Sequence, residues 1–124
     1  MTNDERAARV LVNASSQVAA AATDGLAGAV WRITEEPREL DANVIRLPPG
    51  DRIDAPEGSN LDVLLHVIDG SGELETGGAT QALTGGDLCW LAAGVGRSVV
   101  AGPSGLAYLS VHRRRPPIGI GRPS

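Results

Sequence analysis

The 124-residue chain contains no lysine, so all eleven of its basic side chains are arginine. It has a single cysteine, Cys89, which excludes an intrachain disulfide framework and a multi-cysteine zinc site. Its two histidines, His66 and His112, supply too few nitrogens for a typical catalytic zinc or iron site. No apolar run approaches the ~20 residues of a membrane span. Acids stand among the first residues with no signal-peptide pattern, so no membrane contact is expected and a cytoplasmic location is the default. Positive charge is scarce in the body of the chain. Residues 113–124 hold four arginines and no acid, which leaves seven arginines against fifteen acids, a net −8, in residues 1–112. A body of that sign repels phosphate, so nucleic acid is not an expected partner.

What the chain has in quantity is turn formers. Glycine and proline make up 24 of the 124 residues, against only three aromatics, Trp31, Trp90 and Tyr108. That balance points to many short strands. Residues 3–23 read as a helix. Thr2 and Glu5 have capping-box spacing, Ala7, Leu11, Ala14, Val18 and Ala22 recur at intervals of three and four, and Gly25 is a C-cap candidate. From Ala29 the period changes to two. Strands are expected over 29–33, 42–47, 62–69, 73–76, 79–83, 87–91, 97–101 and 106–112, with a hairpin at Gly77-Gly78, where positive φ is needed. Seven or eight strands at this spacing mean an all-β sandwich or barrel. The expected organisation is an N-terminal helix or arm over 1–25, a barrel over 26–112, and a basic Pro/Gly-rich tail over 113–124.

The segments Leu47–Gly50 (LPPG), Val67–Gly72 (VIDGSG) and Gly86–Gly94 (GDLCWLAAG) resemble the cupin superfamily over about residues 26–112. The resemblance implies an all-β, cupin-like jelly-roll β-barrel of the small conserved-barrel type, preceded by a short helix and assembled as a homodimer. In that family a first motif opens and closes on glycines that match Gly50 and Gly70, and a second opens on Gly86 and holds Gly94. The family's metal is bound by three imidazoles and a carboxylate. Counted from those glycines, the first two histidine positions fall on Pro56 and Gly58, the glutamate position on Val63, the second-motif histidine on Arg97 and its asparagine on Ala101. Neither Pro, Gly nor Val ligates through a side chain, and a guanidinium repels a cation. The expectation is a barrel without the usual metal or any other cofactor.

The remaining polar residues were weighed individually. Asp62 and His66 sit four apart on one strand and share a face, so they are candidates for holding a ligand or, weakly, a hard cation together with Asp54 and Glu57. The plainer reading places those acids on a solvated loop. Arg97 presents a planar cation suited to a carboxylate or phosphate, or else pairs with an acid such as Asp62, because an unpaired buried arginine is costly. Tyr108, Ser110 and His112 alternate with apolar neighbours, and their face lines a cavity or meets solvent. Cys89 has no base to activate it and reads as a small hydrophobe. Arg113–Arg115 face either an acidic surface of a partner subunit or solvent.

Three functions are compatible with these residues. One is a metal-independent barrel that binds a small, anionic molecule in its interior through Arg97, Asp62, His66, Tyr108, Ser110 and His112. The second is a metal-free isomerase, epimerase or cyclase that moves protons between His, Tyr and acid groups. The third is a structural or regulatory homodimer with a filled barrel. The sequence does not assign catalytic residues or a ligand.

Overall fold

The computed structural model describes residues 7–115. Its elements are α1 (Ala14–Thr23), β1 (Gly28–Arg32), β2 (Leu40–Leu47), β3 (Arg52–Ala55), β4 (Val63–Thr76), β5 (Ala79–Thr84), β6 (Leu88–Leu91) and β7 (Arg97–Arg113). All strand pairs are antiparallel. The first half of β4 lies between β6 and the second half of β7, and β2 and β1 continue beyond β7. The second half of β4 lies between β5 and the first half of β7, whose far side carries β3. The result is two sheets, ordered β1-β2-β7-β4-β6 and β3-β7-β4-β5, that share two long strands and face each other. This is an all-β jelly-roll barrel.

The bend in the shared strands has a local cause. The β4–β7 register shifts at Val67/Asp69 and again at Gly70/Gly72. Gly70 has φ 82°, and a Cβ there would lie 2.2 Å from the Gly105 carbonyl oxygen. Only glycine lets the two backbones pass so closely in that conformation. The expected breaks at 70–72 and 102–105 therefore bend strands instead of ending them. The strands expected over 62–69 and 73–76 are the single strand β4, and those over 97–101 and 106–112 are β7. At the β4–β5 hairpin, Gly77 and Gly78 have φ 54° and 79°, the two positive angles of a tight two-residue turn.

The helix is shorter than its sequence pattern. It starts at Ala14, because the Asn13 side chain caps it by accepting a hydrogen bond from the Ser16 backbone N–H at 2.9 Å. Residues 7–13 are not helical, and Val10 is 89% exposed, so the Ala7–Leu11 part of the stripe has nothing to pack against. Thr2 and Glu5 lie outside the described residues. At the other end Leu26 N–H donates to Ala21 O and Gly25 N–H to Ala22 O. With Gly25 at φ 68°, this is a Schellman motif. The buried helical residues are Val18 and Ala21, while Ala22 is exposed.

Two apolar layers result. The barrel interior packs Ile45, Leu47, Val63, Leu65, Val67, Leu74, Leu83, Leu91, Val99, Ala101, Leu106 and Tyr108. A smaller outer layer packs Val18 of α1 on Val44 and Ala107, with Trp31 and Leu109 at its edge. Strand alternation separates the layers: Val44 and Ala107 point outward where Ile45, Leu106 and Tyr108 point inward. Part of the expected tail belongs to the body. Arg113 ends β7, and Arg114 N–H donates to Glu39 O at 2.8 Å. Residues 116–124 lie outside the described set. Among the described residues no helix is long and apolar enough to cross a membrane.

Candidate functional site

Arg97 opens β7 opposite Ala55 of β3 and Thr76 of β4. Its face continues through Val99 and Ala101, both 4% exposed, so the arginine points toward the interior. Tyr108, on the other half of the same strand, faces it from the opposite sheet. Between them is a cavity of about 70 Å³. One wall is Ile53, Ala55, Arg97 and Val99; the other is Val63, Leu65, Leu91, Tyr108 and Ser110.

The electrostatics of this cavity are unusual. Nη1 of Arg97 is buried and has no hydrogen-bond partner. None of the ion pairs among the described residues includes Arg97. Leaving such a donor unmatched costs roughly 1–3 kcal/mol, more for a charged group. Tyr108 is 6% exposed, and burial pushes its phenol up to about 12, a shift that the nearby Arg97 charge opposes without cancelling. Tyr108 is therefore a protonated hydrogen-bond donor across the neutral range. Ser110 adds a hydroxyl to the same wall. The polar groups at the cavity are thus a fixed cation and two hydroxyls, set among aliphatic side chains.

Asp62 does not pair with Arg97. It is exposed, and its carboxylate accepts a hydrogen bond from the Ala93 backbone N–H at 2.8 Å, tying two loops together. His66 is exposed on the outer face of β4, because its neighbours Leu65 and Val67, at 1% and 0% exposure, take the inward positions. His112 shares the face of Tyr108 and Ser110 but lies beyond the cavity. Its Nδ1–H donates to the Arg113 carbonyl at 2.7 Å, and its Nε2 sits 3.4 Å from Arg115 Nη1. It borders a separate polar depression with Arg32, Arg38, Asp41 and Arg115. Of the six candidates, the fold brings together Arg97, Tyr108 and Ser110 and leaves Asp62, His66 and His112 elsewhere.

The other residues weighed from sequence have structural surroundings. Asp54 accepts from Arg52 Nε at 3.0 Å and from Ser98 Oγ at 2.6 Å, and these hold its carboxyl below its ordinary ionisation range. Cys89 packs against the interior layer, and burial, with a smaller effect from Asp87, pushes its thiol up. Arg114 pairs with Glu36 at 2.9 Å, and Arg115 Nη2 donates to Ser59 Oγ at 2.7 Å, so both meet partners in their own chain.

Comparison with solved structures settles the architecture. A cupin 2 conserved barrel domain protein from Salinispora arenicola superposes with a TM-score of 0.60 at 20% identity, covering 66% of this chain and 71% of that one. KdgF from a Halomonas species superposes at 0.58 with 22% identity, covering 68% and 77%. The cupin domain of Schizosaccharomyces pombe Cnp3 superposes at 0.61 with 14% identity, covering 68% of this chain and 63% of that one, so the chain spans under two-thirds of its length. The chain has the cupin fold. Its sequence matches no protein-family model and no curated protein.

Within the cupin fold the register of the first motif needs correction. The residues two apart that face the cavity from β3 are Ile53 and Ala55, not Pro56 and Gly58. Val63 and Arg97 do stand on the cavity wall, where counting from Gly70 and Gly86 put them. With either register the donor set does not fit the family's metal. The wall offers no imidazole and no carboxylate, and its guanidinium would repel a cation. Among the described residues no group of three His, Cys, Asp or Glu side chains is placed to hold an ion. Sequence reasoning did not find Ile53, Ala55, Leu91 and Val99 as walls. Their signal was strand parity opposite Arg97, which needed β3 to be recognised first.

Proposed function

We propose that this cupin-fold barrel binds a small anion, or the anionic head of a small molecule, through Arg97, with Tyr108 and Ser110 as neutral donors. The observation that carries the reading is Arg97 on the cavity wall, with its Nη1 buried and unpartnered. A bound carboxylate accepts from a guanidinium through two parallel hydrogen bonds and supplies the missing partner. The volume supports a compact group: about 70 Å³ is roughly half the size of a cavity known to hold benzene. Proton-transfer chemistry has less support. Arg97, protonated Tyr108 and Ser110 are donors at neutral pH, and no base stands on the cavity wall.

The test is calorimetric titration and thermal melting of the purified protein with formate, acetate, nitrate and inorganic phosphate. A four-atom anion gains at most about 6 kcal/mol, so titration must extend to millimolar concentrations. Saturable binding of at least one anion is expected, with a matching rise in melting temperature, and both are expected to vanish in Arg97→Met. If no anion raises the melting temperature, or if the rise survives in Arg97→Met, the reading is wrong.

A further inference from the structure

A second opening adjoins the anion cavity. It is an uncharged slot of about 340 Å³ between β4, β5, β6 and the loop that follows β6, with Leu74, Cys89, Leu91 and Val95 on its wall beside the polar Thr76 and Gln81. Two observations join it to the Arg97 site. Leu91 lines both spaces. Thr76, on the slot wall, is the ladder partner of Arg97. Leu74 and Leu91 are each 5% exposed and belong to the interior layer, so the slot reaches into the barrel. Val95 on the loop is 43% exposed and forms part of its rim.

Resting on the reading above, we infer that the ligand class is an amphipathic monocarboxylate, with its head on Arg97 and its aliphatic tail in the slot past Leu91. Charge and polarity fix the orientation. Among the described residues that line the two spaces the only cation is Arg97, and the slot wall between Leu74 and Val95 has no charged side chain. A compact dianion would use the 70 Å³ cavity and leave the slot empty. A carboxylate with a tail of several methylenes uses both.

The experiment combines chain-length dependence with protection of Cys89, the sole thiol of the chain. Acetate, butanoate and hexanoate are titrated into wild type, Arg97→Met and Val95→Trp, with hexanol as the uncharged control. Alkylation of Cys89 by iodoacetamide at mildly alkaline pH is timed with and without each compound. The expected result is affinity rising about fourfold per methylene, with Cys89 alkylation slowed by hexanoate and not by acetate. Val95→Trp, which fills the rim of the slot, is expected to keep acetate binding and lose the chain-length gain. Arg97→Met is expected to lose binding of all three acids.

If acetate binds through Arg97 but affinity is flat with chain length and Cys89 is unprotected, the inference falls and the anion reading stands. If no acid binds wild type, both fall. If hexanol binds as tightly as hexanoate, or the gain persists in Arg97→Met, the slot acts alone and the inference falls. If light scattering gives a dimer whose Cys89 is protected without acid and exposed on dilution, a second copy of the chain occupies the slot, which also overturns it.

Discussion

Two regions of this molecule treat arginine in opposite ways. Beside the 35–41 segment, Arg38 meets both Glu36 and Asp41, and Arg114 meets Glu36, at 2.9 Å where the geometry is best, with Glu36 more than half exposed. Both of these guanidinium groups have a carboxylate. Arg97 stands on the cavity wall among Ile53, Val63, Leu65 and Val99 with its Nη1 buried, and it has none among the described residues. A protein that needed Arg97 only for stability could supply an acid, as it does with Glu36 and Asp41 beside the 35–41 segment. Solvated pairs add little to stability and an unmatched buried donor subtracts from it. The contrast therefore separates arginines that hold loops from one that has no carboxylate partner among the described residues.

The largest effect expected from the cavity region is alkaline. The folded state holds the Tyr108 phenol up to about 12, above its ordinary value of 10.0. Folding thus favours the protonated form. This contribution is fully present below pH ~10 and is lost as the pH rises from there through about 12, by roughly 2–3 kcal/mol in all. Denaturant melts at steps across that window should show wild type losing this much more stability than Tyr108→Phe. Parallel curves for the two proteins would mean that the phenol is hydrated in the folded state.

Arg97→Met sharpens the comparison more directly. Replacing the unmatched charge with an apolar chain of similar length should raise the ligand-free stability by about 1–3 kcal/mol, read as a higher denaturant midpoint at unchanged slope. The same substitution is expected to remove the proposed anion binding, so stability and binding should move in opposite directions. A loss of stability would show that the guanidinium already has a partner in the chain.

How much of this was legible in the sequence depended on which physical signal each element carried. The barrel was readable because glycine pairs mark its turns, and Gly77-Gly78 needs the two positive φ angles it adopts. Strand β3 was not, because Arg-Ile-Asp-Ala is short and its residues are mostly exposed, so no apolar alternation announces it. The early helix start was misplaced because periodicity registers a stripe at Ala7 and Leu11 without knowing whether anything covers it. In the site, Arg97 was found by counting from Gly86, but Ile53 and Ala55 were not, since no histidine anchors that segment. His66 could have been set aside on parity alone. If Val63 faces the interior, so do Leu65 and Val67, and an even-numbered neighbour cannot.

The smallest expected effect comes from the paired arginines, and its smallness is the point. Hydrogen bonding to Arg114, aided by the charges of Arg114 and Arg38, holds the Glu36 carboxyl below its ordinary value of 4.5. The associated stability is present above that value and is lost as the pH falls below it. Glu36→Gln should therefore change the neutral-pH melting temperature by no more than the scatter between repeat melts, and added salt should erase any difference. Anion binding at Arg97 should be untouched, because the pair closes a loop on the surface and not the cavity. A large loss at neutral pH would mean that the Arg38–Glu36–Arg114 cluster holds the end of β7 in register. The division between arginines that hold loops and the one proposed to take a ligand would then fail at the surface cluster.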